Sequence, residues 1–259
     1  MSWSSKRKLI YLGILVIVLA VLAVIPVYLF LNRPATCFDG RQDGGETGVD
    51  CGGPCVNLCS VDERSPVVLW SRAFVLVPGI YSVAAYIENP NLGAQAYSVP
   101  YQFSFYNNNG LLLGSISGTT FIPSGQNFAV IGGNIATSTP LSQTDFQFGP
   151  IQWQKAPTAA LDFNALQINN LKKTFSTTTP PRVEADIANT SFKNLPRIDI
   201  SAILYDASGN ALGVSRTYVS SLPEQTSRHI VFTWIMPFTT LPTRVELLPV
   251  VDEPPTTKL

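Results

Sequence analysis

Apolar and polar positions follow two different patterns along this chain. Leu9–Leu31 is a run of 23 residues with no charged side chain, preceded by Lys6-Arg7-Lys8 and closed by Asn32-Arg33-Pro34. Beyond it, short runs alternate apolar and polar residues and are broken by Gly, Pro, Asn and Ser. The first pattern predicts one transmembrane helix over 9–31. At about 1.5 Å per residue such a helix reaches roughly 34 Å, against about 30 Å of hydrocarbon. Pro26 falls in its last third, where it kinks the helix at most. A buried core helix is the alternative, yet no other segment is helical enough to pack around it. A cleaved signal peptide has a shorter apolar core, about 7–15 residues, and small residues at its cleavage site; here the bulky Val27-Tyr28-Leu29-Phe30 stands in that place. A lipoprotein reading through Cys37 lacks the usual Leu three residues earlier, where Pro34 sits. The basic residues precede the span, which places the N-terminus in the cytoplasm and residues 34–259 outside.

The second pattern predicts strands. Ile198, Ile200, Ala202 and Leu204 fall on one face, and Asp199, Ser201 and Ile203 on the other; Tyr101, Phe103 and Phe105 repeat the pattern earlier. Period-two runs of this kind are half-buried strands. Asn107-Asn108-Asn109-Gly110 and Asp206-Ala207-Ser208-Gly209-Asn210 are turn sequences, each joining two strands as a hairpin. The chain also repeats itself. Val83–Asn89 parallels Val183–Asn189, Phe105-Tyr106 with Gly110 and Gly114 parallels Leu204-Tyr205 with Gly209 and Gly213, and Pro123 parallels Pro223. The offset stays at 99 to 100 residues through these landmarks. Two copies of an all-β unit, with strands spaced about ten residues apart and no helical pattern between them, predict two tandem β-sandwiches. The expected organisation is a cytoplasmic stub (1–8), the helix (9–31), a Cys-rich stalk (34–62), a first sandwich (63–155), a second (156–251) and a disordered tail (252–259).

All four cysteines, Cys37, Cys51, Cys55 and Cys59, lie in the stalk. An even number in a short, loop-rich segment outside the membrane predicts two disulfides, with three pairings open. The intervals lack the paired C-x2-C knuckles of common zinc modules. Asp39, Asp43, Glu46 and Asp50 are interleaved with Gly40, Gly44, Gly45 and Gly48. Oxygen ligands on a Gly-permissive loop suit calcium, although the spacing is not that of an EF-hand; the plainer reading is a solvated acidic turn held by disulfides.

This segment, CFDGRQDGGETGVDCGGPCVNLC, resembles a small cysteine-rich module of bacterial surface proteins with the pattern C-x-DG…ETGVDCGGxC…C. The stretch VEADIANTSFKNLPRIDISAILYDASGNALGVS is similar to the FxLYD-type domain of bacterial and archaeal envelope proteins, through Ile187-Ala188-Asn189-Thr190, Ile203-Leu204-Tyr205-Asp206 and Gly213. Ala202-Ile203 stands where that family has Phe, and the first copy has Phe105-Tyr106-Asn107 in place of Leu-Tyr-Asp. VVLWSRAFVLVPGIYSVAAYIENPN resembles the opening of sandwich domains in anchored proteins of uncultured bacterial lineages. The resemblances imply an immunoglobulin-like fold and an envelope location, and no substrate.

The remaining chemistry is sparse. His229 is the only histidine and lies in an alternating run, which argues against a Ser/His/Asp triad and a His-rich metal site. Acids beyond Asp62 sit at turns and strand edges, so a carboxylate pair for glycoside hydrolysis is not indicated. Trp70, Trp153 and Trp234, with Tyr81, Tyr86, Tyr97, Tyr101 and Tyr106, form either a sugar-stacking face or, as aromatic rings in a sandwich usually do, core and cross-strand pairs. Trp3 suits the membrane interface. The formal net charge is zero and the basic residues are scattered, which argues against nucleic acid. The function expected is non-enzymatic. The bilayer holds the chain through Leu9–Leu31, and the sandwiches meet an envelope or surface protein partner by strand edges or loops. The alternative is a glycan-binding module, with or without calcium.

Overall fold

The computed structural model describes residues 3–31, 35–157 and 165–252. The chain divides into two compact units, Met1–Cys55 and Val56–Leu259. Part of the N-terminal stub and nearly all of the predicted disordered tail (253–259) lie outside the described residues.

The first unit holds helix α1 (Trp3–Leu31), which runs unbroken through Pro26. Its Ile10–Leu29 stretch is long and apolar enough to cross a membrane, and none of it is buried. A helix apolar on all sides has no polar face to give to water, so it needs either a protein core or lipid around it. The loop that follows is closed by a Cys37–Cys55 disulfide. Cys51 and Cys59 are disulfide-bonded as well, so no described cysteine is free.

The second unit is all β. The first copy contains β1 (Val67–Val77), β2 (Ile80–Glu88), β3 (Ala94–Tyr106), β4 (Leu112–Ile122), β5 (Asn127–Ala136), β6 (Gln143–Phe148) and the short β7 (Gln154–Lys155). The second contains β8 (Leu166–Thr174), β9 (Arg182–Asn189), β10 (Ile198–Tyr205), β11 (Ala211–Val219), β12 (Ser227–Thr233) and β13 (Arg244–Val251). The sheets are β1-β2-β5 facing β4-β3-β6 in the first copy, and β8-β9-β12 facing β11-β10-β13 in the second. Strand for strand the two orders are the same, with β7 added beside β3 in the first copy. This is an immunoglobulin-like sandwich built twice.

Each sandwich has its own core, one around Phe103, Phe128, Ile87 and Trp153 and the other around Ile187, Ile200, Leu204 and Phe232. The same polar device closes both. Asn89 is buried, donates from Nδ2 to the carbonyls of Ala94 (3.0 Å) and Pro123 (2.7 Å), and accepts from Asn91 N at Oδ1 (3.0 Å). Asn189 donates to Lys193 (2.8 Å), Leu222 (3.0 Å) and Pro223 (3.1 Å) and accepts from Ser191 N (3.0 Å). Buried amides that satisfy loop carbonyls fix where two loops cross. The hairpin turns match too. Asn107 Oδ1 accepts from the amides of Asn109 and Leu111, and Asp206 Oδ1 from those of Ser208 and Asn210.

Two expectations change in detail. The segment after Cys55 is built into the first sandwich: Leu58 N bonds Trp153 O (2.9 Å), the Leu58 side chain packs on that core, and Arg64 and Asn91 exchange two hydrogen bonds. β10 is also not half-buried. Ile203 and Tyr205, on the face opposite Ile200 and Leu204, are buried in a third cluster that joins the copies.

Candidate functional site

That third cluster is a seam between the sandwiches. β2 is buried from Tyr81 to Ile87, because Val83, Ala85 and Ile87 enter the first core while Ala84 and Tyr86 point outward. The outward residues, with Phe74, meet Ile203, Tyr205, Val214 and Leu248 of the second copy. The sheet β1-β2-β5 therefore lies against the sheet β11-β10-β13, giving four stacked layers. Burying the larger side chains of this seam contributes a gross stabilisation on the order of 10 kcal/mol, enough to oppose the free relative motion expected of tandem domains.

A polar cluster borders the seam. The Tyr86 hydroxyl donates to Glu246 Oε1 (2.7 Å) and accepts from Asn127 Nδ2 (2.8 Å). Arg244 pairs with Glu246 (3.2 Å) and lies 3.7 Å from the Tyr205 ring centroid. Burial, and then the hydrogen bond to Glu246, pushes Tyr86 up to about 12. Tyr205 is pushed up by the same two causes in the same order. Both phenols therefore remain neutral donors at physiological pH.

Farther along the same sheets the wall residues become polar and the space between the copies opens into a cleft of about 260 Å³. Its lining includes Thr119–Phe121 of β4, Phe128–Ile131 of β5, and Asp199, Ser201, Arg216 and Asp252 of the second copy. Arg197 holds Asp199 through two hydrogen bonds (2.9 and 2.8 Å) and covers the Tyr218 ring. Among the described residues Arg216 has no ion-pair or hydrogen-bond partner. The Asp252 carboxylate is half-buried and raised above the ordinary carboxylate range, first by burial and then by neighbouring Asp199, with Arg197 acting in the opposite sense.

The predicted acidic loop is folded on itself. Asp50 accepts from the amides of Asp39 (2.8 Å) and Gly40 (2.9 Å). Asp39 Oδ1 accepts from Arg41 N and Glu46 Oε2 from Asp50 N, each at 3.0 Å. Asp43 Oδ1 is buried without a hydrogen-bond partner. Glu46 Oε1 stands 3.1 Å from Cys55 Sγ, a disulfide sulfur with no proton to donate. Among the described residues the one group of three ligating side chains with mutually close atoms is Cys37, Glu46 and Cys55, and two of these are the disulfide's own sulfurs. Asp39, Asp43, Glu46 and Asp50 are thus not gathered at one point, and three of the four carboxylates accept from loop amides.

The other predicted positions fall as follows. His229 is an exposed residue of β12 directly opposite Asp186, with Nδ1 2.9 Å from Oδ1. Asp186 also accepts from Asn170 (2.7 Å), and that bond, followed by His229, holds its carboxyl below the usual range. Trp153, Trp234, Tyr81 and Tyr86 are buried, and Trp70, Tyr97, Tyr101 and Tyr106 are half-buried. Trp70 packs against Phe74 edge-on and against Tyr86 at a tilt, and Tyr101 meets Phe103 edge-on and stacks on Phe146, so none of these eight rings stands in an exposed row. Sequence reasoning missed both the seam and the cleft. The seam had a signal: Val83-Ala84-Ala85-Tyr86-Ile87 is an unbroken apolar run, the mark of a strand covered on both faces. The cleft had none, since its residues come from six strands, β3, β4, β5, β10, β11 and β13. Compared with known proteins, the chain matches no family model and no curated protein.

Proposed function

We propose that this is a non-enzymatic membrane-anchored protein. It presents a rigid pair of immunoglobulin-like sandwiches outside the cytoplasm for contact with another envelope or surface protein. The observation that carries this reading is an unburied apolar helix, long enough to span a bilayer, in a chain whose cysteines are all oxidised among the described residues. Disulfides persist in oxidising compartments. The basic Lys6-Arg7-Lys8 before the helix supports an N-in orientation. The likeness of the cysteine segment and of the second sandwich to bacterial envelope modules supports the location. The half-buried and buried aromatics favour protein contact over glycan stacking.

Proximity labelling in intact cells tests the reading, with the enzyme fused after the second sandwich. The expected result is a set of extracytoplasmic proteins that disappears when an unrelated sandwich replaces residues 56–252 behind the same helix. A labelled set drawn from the cytosol would contradict it. Deleting one sandwich is the poorer control, because it would strip the cover from Ile203 and Tyr205 or from Ala84 and Tyr86.

A further inference from the structure

We propose that the polar cleft between the sandwiches takes an extended polypeptide segment of a partner, laid along the outer edge of β5. This rests on the binding role above and names the surface and the kind of partner. The lining carries the argument. Neighbouring residues on a strand point to opposite faces, so a run of neighbours can line a cavity only where the strand shows its edge. Phe128–Ile131 is such a run on β5, and Thr119–Phe121 is another on β4. Both strands are terminal in their sheets, β5 pairing with β2 and β4 with β3. The main-chain donors and acceptors of two strand edges therefore face the same cleft, and an unpaired edge is a template for another strand.

The opposite wall supplies charge. Arg197 and Asp199 satisfy each other, whereas Arg216 has no partner among the described residues and the half-buried Asp252 carboxylate has no hydrogen-bond partner there. A neutral sugar would leave the Arg216 charge unmatched. An extended peptide carries its own amides for β5 and side chains on alternate positions for the facing wall, with an acidic one opposite Arg216. The volume, about 260 Å³, lies below the roughly 300–1,000 Å³ of enclosed small-molecule sites and accommodates a few residues of a strand passing through. The seam holds the two walls together before binding, which limits the ordering cost.

The test uses the full chain in nanodiscs and a phage-displayed library of random twelve-residue peptides. The expected result is an enriched pool with alternating β-branched residues and an acidic side chain. Arg216→Glu should weaken its binding at least tenfold and Ser201→Trp, which fills the cleft, should abolish it, while Phe192→Ser, at an exposed residue that does not line the cleft, leaves it unchanged. Amides of 128–131 should gain hydrogen-exchange protection with the peptide. No enrichment over empty nanodiscs, or equal binding to wild type and Arg216→Glu, would overturn the proposal. Arg216 is exposed, so its variant carries the test even if Ser201→Trp fails to fold. A failure here with the sandwiches accessible from outside the cell removes the cleft and leaves the proposed function; peptide binding by a protein accessible only from the cytosol does the reverse.

Discussion

The two sandwiches share a skeleton and differ in their outward faces. The buried Asn89 and Asn189, the Asn107 and Asp206 turns and the strand order are common to both. On β2 the outward positions are Ala84 and Tyr86, covered by the second copy; at the matching positions of β9 stand Glu184 and Asp186, paired with Arg182 and His229 at a half-exposed surface. On β10 the outward positions are Ile203 and Tyr205, both buried; their counterparts on β3, Ser104 and Tyr106, are half-exposed. The copies thus join through non-equivalent sheets, a heterologous contact of the sort that extends indefinitely unless its ends are blocked. Here the charged face of β8-β9-β12 and the Ser- and Gln-bearing face of β4-β3-β6 are the free ends. Within a repeat, the inner face specifies the sandwich and the outer face specifies what lies beside it.

The sharpest way to break this contrast is to charge one seam position. Ile203→Asp places a carboxylate among Phe74, Ala84 and Tyr86 and should cost about 4 kcal/mol. Urea unfolding should then split into two transitions, while Ser104→Asp at the matching position of the first copy should stay within about 0.5 kcal/mol of wild type. The shared skeleton predicts symmetry instead: Asn89→Ala and Asn189→Ala should each cost about 3 kcal/mol by orphaning buried loop carbonyls, and a large inequality between them would mean the two Asn residues do different work. A smaller effect separates the turns before β5 and β12. Gly125 (φ +57°) and Gln225 (φ +54°) occupy the same left-handed conformation. Gly125→Ala should cost about 1 kcal/mol. Gln225→Gly should be near neutral, because the backbone relief is offset by loss of the Gln225 hydrogen bonds to Thr190 O and Ser191 O.

The smallest predicted effect is a pH dependence. Asp252 is raised, so the folded state holds its proton more tightly than the unfolded chain, and its charged form disfavours folding. Asp252→Asn should therefore stabilise the protein at pH 7, by under about 1 kcal/mol given solvent screening. The gain should fade as pH falls through the raised folded value and vanish below the ordinary Asp value. Asp186 and Asp206, both lowered, act in the opposite sense: their contributions hold above the ordinary Asp value and are lost as pH falls through their folded values. Melting curves of Asp252→Asn between pH 3 and 7 check the sign.

Much of this fold was legible because its signals are local. A 23-residue uncharged run, alternating strands and turn sequences repeated at a fixed offset each follow from the chain's own periodicity. The roles of Asp206 and most of the aromatic rings followed from the same patterns. The disulfide partner of Cys37 was not legible, since three pairings are equally compatible with the spacing. The second burial of Ile203 was hidden because its neighbours Asp199 and Ser201, which share its face, line the polar cleft and gave the strand an amphipathic look. Comparing the repeats position by position would have exposed it: Glu184 and Asp186 against Ala84 and Tyr86 is a change of environment written in side chains.

The most direct test of the anchored, outward-facing arrangement is labelling of single introduced cysteines in spheroplasts with a membrane-impermeant maleimide. Asn108→Cys, on the exposed turn between β3 and β4, should react without permeabilisation, and Ser4→Cys, in the first turn of α1 ahead of its apolar stretch, only after it. Labelling of Ser4→Cys in sealed spheroplasts, with Asn108→Cys protected until lysis, would contradict the account.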